Sequence, residues 1–75
     1  MNANKIQKEI YAQRLAAQMR SAGSNNWAFN DIADLCELAG IWEKWLDAAT
    51  RQDEENVALE AASILGVEIR HYIPA

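Results

Sequence analysis

Between residues 27 and 39 the apolar side chains Ala28, Ile32, Leu35, Cys36 and Ala39 recur at i, i+4, i+7, i+8 and i+11. Asn30, Asp31, Asp34 and Glu37 fill the opposite side. That rhythm belongs to an amphipathic α-helix with one face turned toward a core, because a strand would scatter the same residues over two faces. Phe29 and Ala33 widen the apolar face. Asn25 or Asn26 stands where an N-cap side chain would accept an orphan backbone N–H. Trp27 and Leu38 depart from the pattern: helical phase puts both on the charged side.

The same spacing recurs along most of the chain, interrupted at Ser21–Asn26, Gly40, Thr50–Asn56, Gly66 and Pro74. These breaks predict helices over about 4–22, 27–39, 41–50 and 54–65. In the first, Tyr11, Leu15, Met19 and Ala22 form one stripe with Ala12 beside it, and Ile6, Ile10 and Ala17 form a second, displaced one. A helix apolar on two sides lies deep between neighbours or crosses a subunit boundary. The third helix turns Ile41, Trp42, Trp45, Leu46 and Ala49 inward, and Glu43, Lys44, Asp47 and Arg51 outward. The fourth turns Val57, Ala58, Ala61, Ile64 and Leu65 inward. Asp53, Glu54 and Glu55 stand at its positive end, and Gly66 suits the position just past its last turn. Residues 67–73 alternate apolar and polar with β-branched members, which predicts an extended tail able to pair as a strand between subunits. The expected fold is all-α: a compact bundle of four short helices with that tail, one helical domain over residues 1–75.

Composition narrows the chemistry. At 51% hydrophobic and 24% charged residues the chain is expected to fold, since disorder goes with far less apolar content. No run approaches the roughly 18 apolar residues of a membrane span. Lys5, Lys8, Glu9 and Arg14 interrupt the first 19 positions, so no signal peptide is expected. Cys36 is the single cysteine and His71 the single histidine. An intramolecular disulfide is thereby excluded, a reducing cytoplasm is the natural setting, and a zinc site lacks its ligands. A Cys36–His71 nucleophilic pair is conceivable, but Cys36 falls on an apolar helix face, where an inert thiol is the usual outcome. The three glycines are scattered, so no phosphate-cradling loop exists. The acidic pairs Asp31/Asp34 and Glu54/Glu55 map to solvated faces, where nothing raises a carboxyl into the range of a working acid. No cofactor, no metal, no membrane contact and no enzymatic activity are expected.

Charge is distributed unevenly. Residues 1–22 carry Lys5, Lys8, Arg14 and Arg20 against Glu9, and the remainder is acidic. Asp31 to Leu46 reads as helix, Gly turn, helix, and ADLCELAGI resembles the turn region of helix-turn-helix DNA-binding domains. That resemblance implies a nucleic-acid-binding regulator using the 31–50 hairpin with Lys5, Lys8, Arg14, Arg20 and Lys44. The second helix, however, shows Glu43, Lys44, Asp47 and Arg51, without side chains aimed at base edges. A tight helical hairpin accounts for the same spacing, and most of the chain would repel a polyanion.

The leading expectation is therefore a non-catalytic cytoplasmic interaction module, a small regulator or inhibitor docking on a basic protein surface. Its expected face is Trp27, Asp31, Asp34 and Leu38: an aromatic anchor rimmed by carboxylates. Trp27 as a half-buried cap over the hairpin is the competing reading, and Trp42 and Trp45 are expected in the core. His71, beside Arg70 and Tyr72, could sense pH or touch an anion. The doubly apolar first helix and the unpaired strand suggest a homodimer. Size and composition also fit an accessory protein of a phage or mobile element.

Overall fold

The computed structural model describes residues 3–70, and the chain is all-α over that span. Helix α1 (Ala3–Ala22) leads through a single 3₁₀ turn at Ser24–Asn26 into α2 (Phe29–Ala39). A short α3 (Trp42–Leu46) and then α4 (Arg51–Leu65) follow.

The ends of these helices follow from particular residues. At α1 the Gly23 N–H returns to the Met19 carbonyl at 3.0 Å, and the Asn26 amide caps the Ala22 carbonyl at 3.1 Å. Asn26 thus closes α1 instead of opening α2. The N-cap of α2 is Ala28, which makes no side-chain cap bond, so the expected Asn25 or Asn26 cap does not form. Gly40 (φ 78°) and Gly66 (φ 72°) both adopt the left-handed conformation that side-chain-bearing residues avoid. At each, the next residue's N–H reaches back five positions: Ile41 to the Cys36 carbonyl and Val67 to the Ala62 carbonyl, both at 2.9 Å. This is the Schellman closure of a helix C-terminus.

Helix α3 stops at Leu46, short of the expected residue 50, and α4 begins at Arg51, ahead of the expected residue 54. One device explains both corrections. The Thr50 hydroxyl accepts the Asp53 N–H at 3.1 Å while an Asp53 carboxylate oxygen accepts the Ala49 N–H at 3.3 Å. Thr50 is extended (φ −129°, ψ 165°), so no helix can run through it. The polar run that reads as a break is the capped first turn of α4, with Asp53 and Glu54 at its positive end. Thr50→Ala should therefore cost about 1 kcal/mol in denaturant unfolding, and Thr50→Ser should recover most of it.

One core joins Leu15, Ala16 and Met19 of α1, Trp27, Ile32, Leu35 and Cys36, Ala58, Ala61 and Ala62 of α4, and Ile69. The largest interface is between α2 and α4. There α4 offers alanines, which leave room for the branched side chains of α2. Helical phase placed most of these residues correctly. Tyr11, Ala22, Ala28, Phe29, Trp42, Leu46, Ala49 and Ile64, expected inward, are exposed. The molecule is a slab of 38 × 34 × 17 Å, under two helix diameters thick, so each helix keeps a flank in solvent.

The tail is held by this chain's own core. Ile69 is fully buried, Val67 packs against the core, and the Arg20 guanidinium donates to the Glu68 carbonyl. Residues 67–70 form no strand. The alternation that reads as a strand is satisfied by inserting Ile69 between helices. Positions 71–73 of the expected tail, and His71 with them, lie outside the described residues.

Candidate functional site

The acidic face expected to receive a partner is largely taken up by α1. Asp31 accepts the Gln18 amide at 3.1 Å, and Asp34 accepts the Tyr11 hydroxyl at 3.2 Å. The charge of Asp34, with some burial and the hydrogen bond itself, holds the Tyr11 hydroxyl above its ordinary pKa. Leu38 is half-buried and packs against the core. Trp27 is 3% exposed, and its indole N–H donates to the Met19 carbonyl at 2.9 Å. Helical phase misplaced Trp27 because it precedes α2: the 3₁₀ turn swings it back over the last turn of α1. Arg51 then fixes the loop by donating to the Trp27 carbonyl at 2.9 Å. The four residues expected to form one docking face are divided between the core and an α1–α2 hydrogen-bonded seam.

The cations considered for nucleic acid are also dispersed. Lys5 and Lys8 line a groove of about 480 Å³ whose walls include Leu38, Ala39 and Ile64. Arg14 lies on the side of α1 roughly opposite Ala12, Leu15 and Met19. Arg20 bonds the tail, and Lys44 pairs with Glu60 at 2.6 Å. With five residues, α3 makes about a turn and a half, a short element to lay along a major groove.

What the fold does bring together is an aromatic patch. The Phe29 and Trp45 rings meet edge to face with centroids 4.8 Å apart, and Trp42 lies tilted against Trp45 at 4.7 Å. Leu46, one turn after Trp42, extends the surface. Phe29 is 58% exposed, Leu46 59% and Trp42 39%, whereas Trp45 is half-buried beneath them. The Trp45 Nε1 is buried without a hydrogen-bond partner, so its ring contacts fix its place. Glu43, next to Trp42 on α3, is exposed beside the patch, whereas Asp47 shares a groove with Lys44, Asp53 and Val57 on the α4 side. Lys44, on the opposite side of α3, is turned to α4 by Glu60.

This surface was missed because Trp42 and Leu46 share the helical phase of inward residues. The signal that could have found it is the length of α3. A helix cut to five residues by the Thr50 cap has too little neighbouring structure to cover two large side chains and Phe29 as well.

Cys36 is fully buried, and burial pushes its thiol up to about 11, with the Glu60 carboxylate adding to the shift. It is a neutral core thiol at physiological pH. Among the described residues no three His, Cys, Asp or Glu side chains gather in a metal-binding group. No helix there is long and apolar enough to cross a membrane. No protein-family model, curated protein or solved structure matches this chain.

Proposed function

We propose that this chain is a non-catalytic protein-interaction module, a small regulator or inhibitor, which docks the Phe29–Trp42–Trp45–Leu46 patch on a basic partner surface. The observation that supports this reading is the contiguous exposed aromatic area, with the Glu43 carboxylate beside it. Large aromatic side chains supply much of the energy of protein interfaces, and contiguous exposure of several marks a contact surface. Glu43 would favour a partner that sets Lys or Arg among aliphatic side chains, with a cation free to sit over the Trp42 ring. The docking face thus moves from the α2 carboxylates to α3, while the expected character of the partner stays the same. A buried free thiol suits a reducing compartment, and we assign the cytoplasm.

The test is affinity capture from the cell in which the chain occurs, followed by direct binding to the purified captured protein. Phe29→Ala/Trp42→Ala should weaken binding at least about 30-fold with an unchanged circular dichroism spectrum, the scale expected when interface anchors are truncated. Added salt should weaken the wild-type complex further. Equal binding by wild type and the double variant would place the docking face elsewhere.

A further inference from the structure

On α1 the stripe Ile6, Ile10, Gln13 and Ala17 is exposed throughout, with Gln13 and the adjacent Glu9 at the rim of the groove that α1 forms against Leu38 and Ile64. Ile6 and Ile10 retain 47% and 50% of their surface in solvent. Their spacings of four, three and four residues are those of the a and d positions of a heptad. This is a different surface from the aromatic patch. On a helical wheel Glu9 and Arg14 flank the stripe on opposite sides, each about 70° from its centre. They stand five positions apart, which is the g to e′ offset that joins two parallel helices by ion pairs. Within the described chain neither side chain forms a salt bridge.

From this we infer that the solvent face of α1 is a seam for a second copy of this chain, packed parallel, with Glu9 of each protomer paired to Arg14 of the other. Charge complementarity selects the occupant and the direction. Two parallel copies form two Glu9–Arg14 pairs at once. In an antiparallel pairing g faces g′ and e faces e′, so the same charges have no opposite partners. Gln13 meets its own copy across the seam, and a polar residue at such a position fixes register at some cost in stability. Two isoleucines per protomer make a small seam, so the dimer is expected to form with a micromolar Kd.

Sedimentation equilibrium at about 200 μM, well above a micromolar Kd, tests it directly. Wild type should sediment at twice the chain mass. Ile10→Asp should be monomeric with unchanged helicity, since Ile10 contributes little to the monomer's core. Glu9→Arg and Arg14→Glu should each raise the dimer Kd about tenfold or more, because each sets like charges across the seam. The Glu9→Arg/Arg14→Glu chain should return to within about threefold of wild type, since the pairs re-form with their signs exchanged. Trp42→Ala should leave the dimer intact, which separates this surface from the docking patch. A wild-type monomer at that concentration would overturn the seam. A double reversal as weak as the single ones would overturn the parallel register.

Discussion

Trp27→Ala should cost about 3 to 5 kcal/mol, the range for truncating a buried large aromatic. At typical per-residue values a chain of 75 residues is stable by roughly 4 to 11 kcal/mol, so this one change removes much of the total. A fall in Tm of more than about 15 °C is expected for a domain of this size. Trp27 ties the α1 end to the α2 start. It covers Met19, bonds the Met19 carbonyl, and presents its own carbonyl to Arg51 at the start of α4. Trp27→Phe separates packing from hydrogen bonding. The Met19 carbonyl keeps the Gly23 N–H, so the loss should be near 1 kcal/mol plus a small packing term. Thermal melts in which Trp27→Ala loses less than a few degrees would mean that Trp27 is not part of the core.

That contrast shows where periodicity stops being informative. Helical phase applies inside a helix, and there it placed Ile32, Leu35, Cys36, Ala58 and Ala61 in the core. Trp27 lies two residues before α2 begins, so a turn decides its direction. Phase also cannot tell which neighbour covers a charged face. Asp31 and Asp34 look solvated in isolation, yet Gln18 and Tyr11 of α1 reach them. The tail makes the same point from the other side. Apolar alternation in Val67 and Ile69 is satisfied equally by a strand ladder or by insertion between helices, and only the packed structure decides. The aromatic patch was hidden because inward phase is a statement about direction, and burial needs a neighbour at the right distance. Of the two stripes of α1, the one through Leu15 and Met19 is covered at those residues but not at Tyr11 or Ala22, and the one through Ile6, Ile10 and Ala17 is uncovered in a thin molecule.

Leu35 and Leu46 carry the same side chain and the same inward phase, and their replacement by alanine should have opposite consequences. Leu35 is fully buried, in a core it shares with Ala58, Ala61 and Ala62. Those alanines have no rotamers with which to fill a void, so the site collapses poorly. Leu35→Ala should therefore fall in the upper part of the 2 to 5 kcal/mol range for such truncations. Leu46 is 59% exposed, and Leu46→Ala should stay within about 0.5 kcal/mol of wild type. The order reverses for partner binding. Leu46→Ala removes apolar area from the patch and should weaken the complex, whereas any Leu35→Ala protein that remains folded should bind as wild type does. Denaturant unfolding alongside binding of the captured partner reads both quantities on the same two proteins. If Leu46→Ala proved as destabilising as Leu35→Ala, α3 would have to be packed into the core after all, and with it the Trp42 surface on which docking depends.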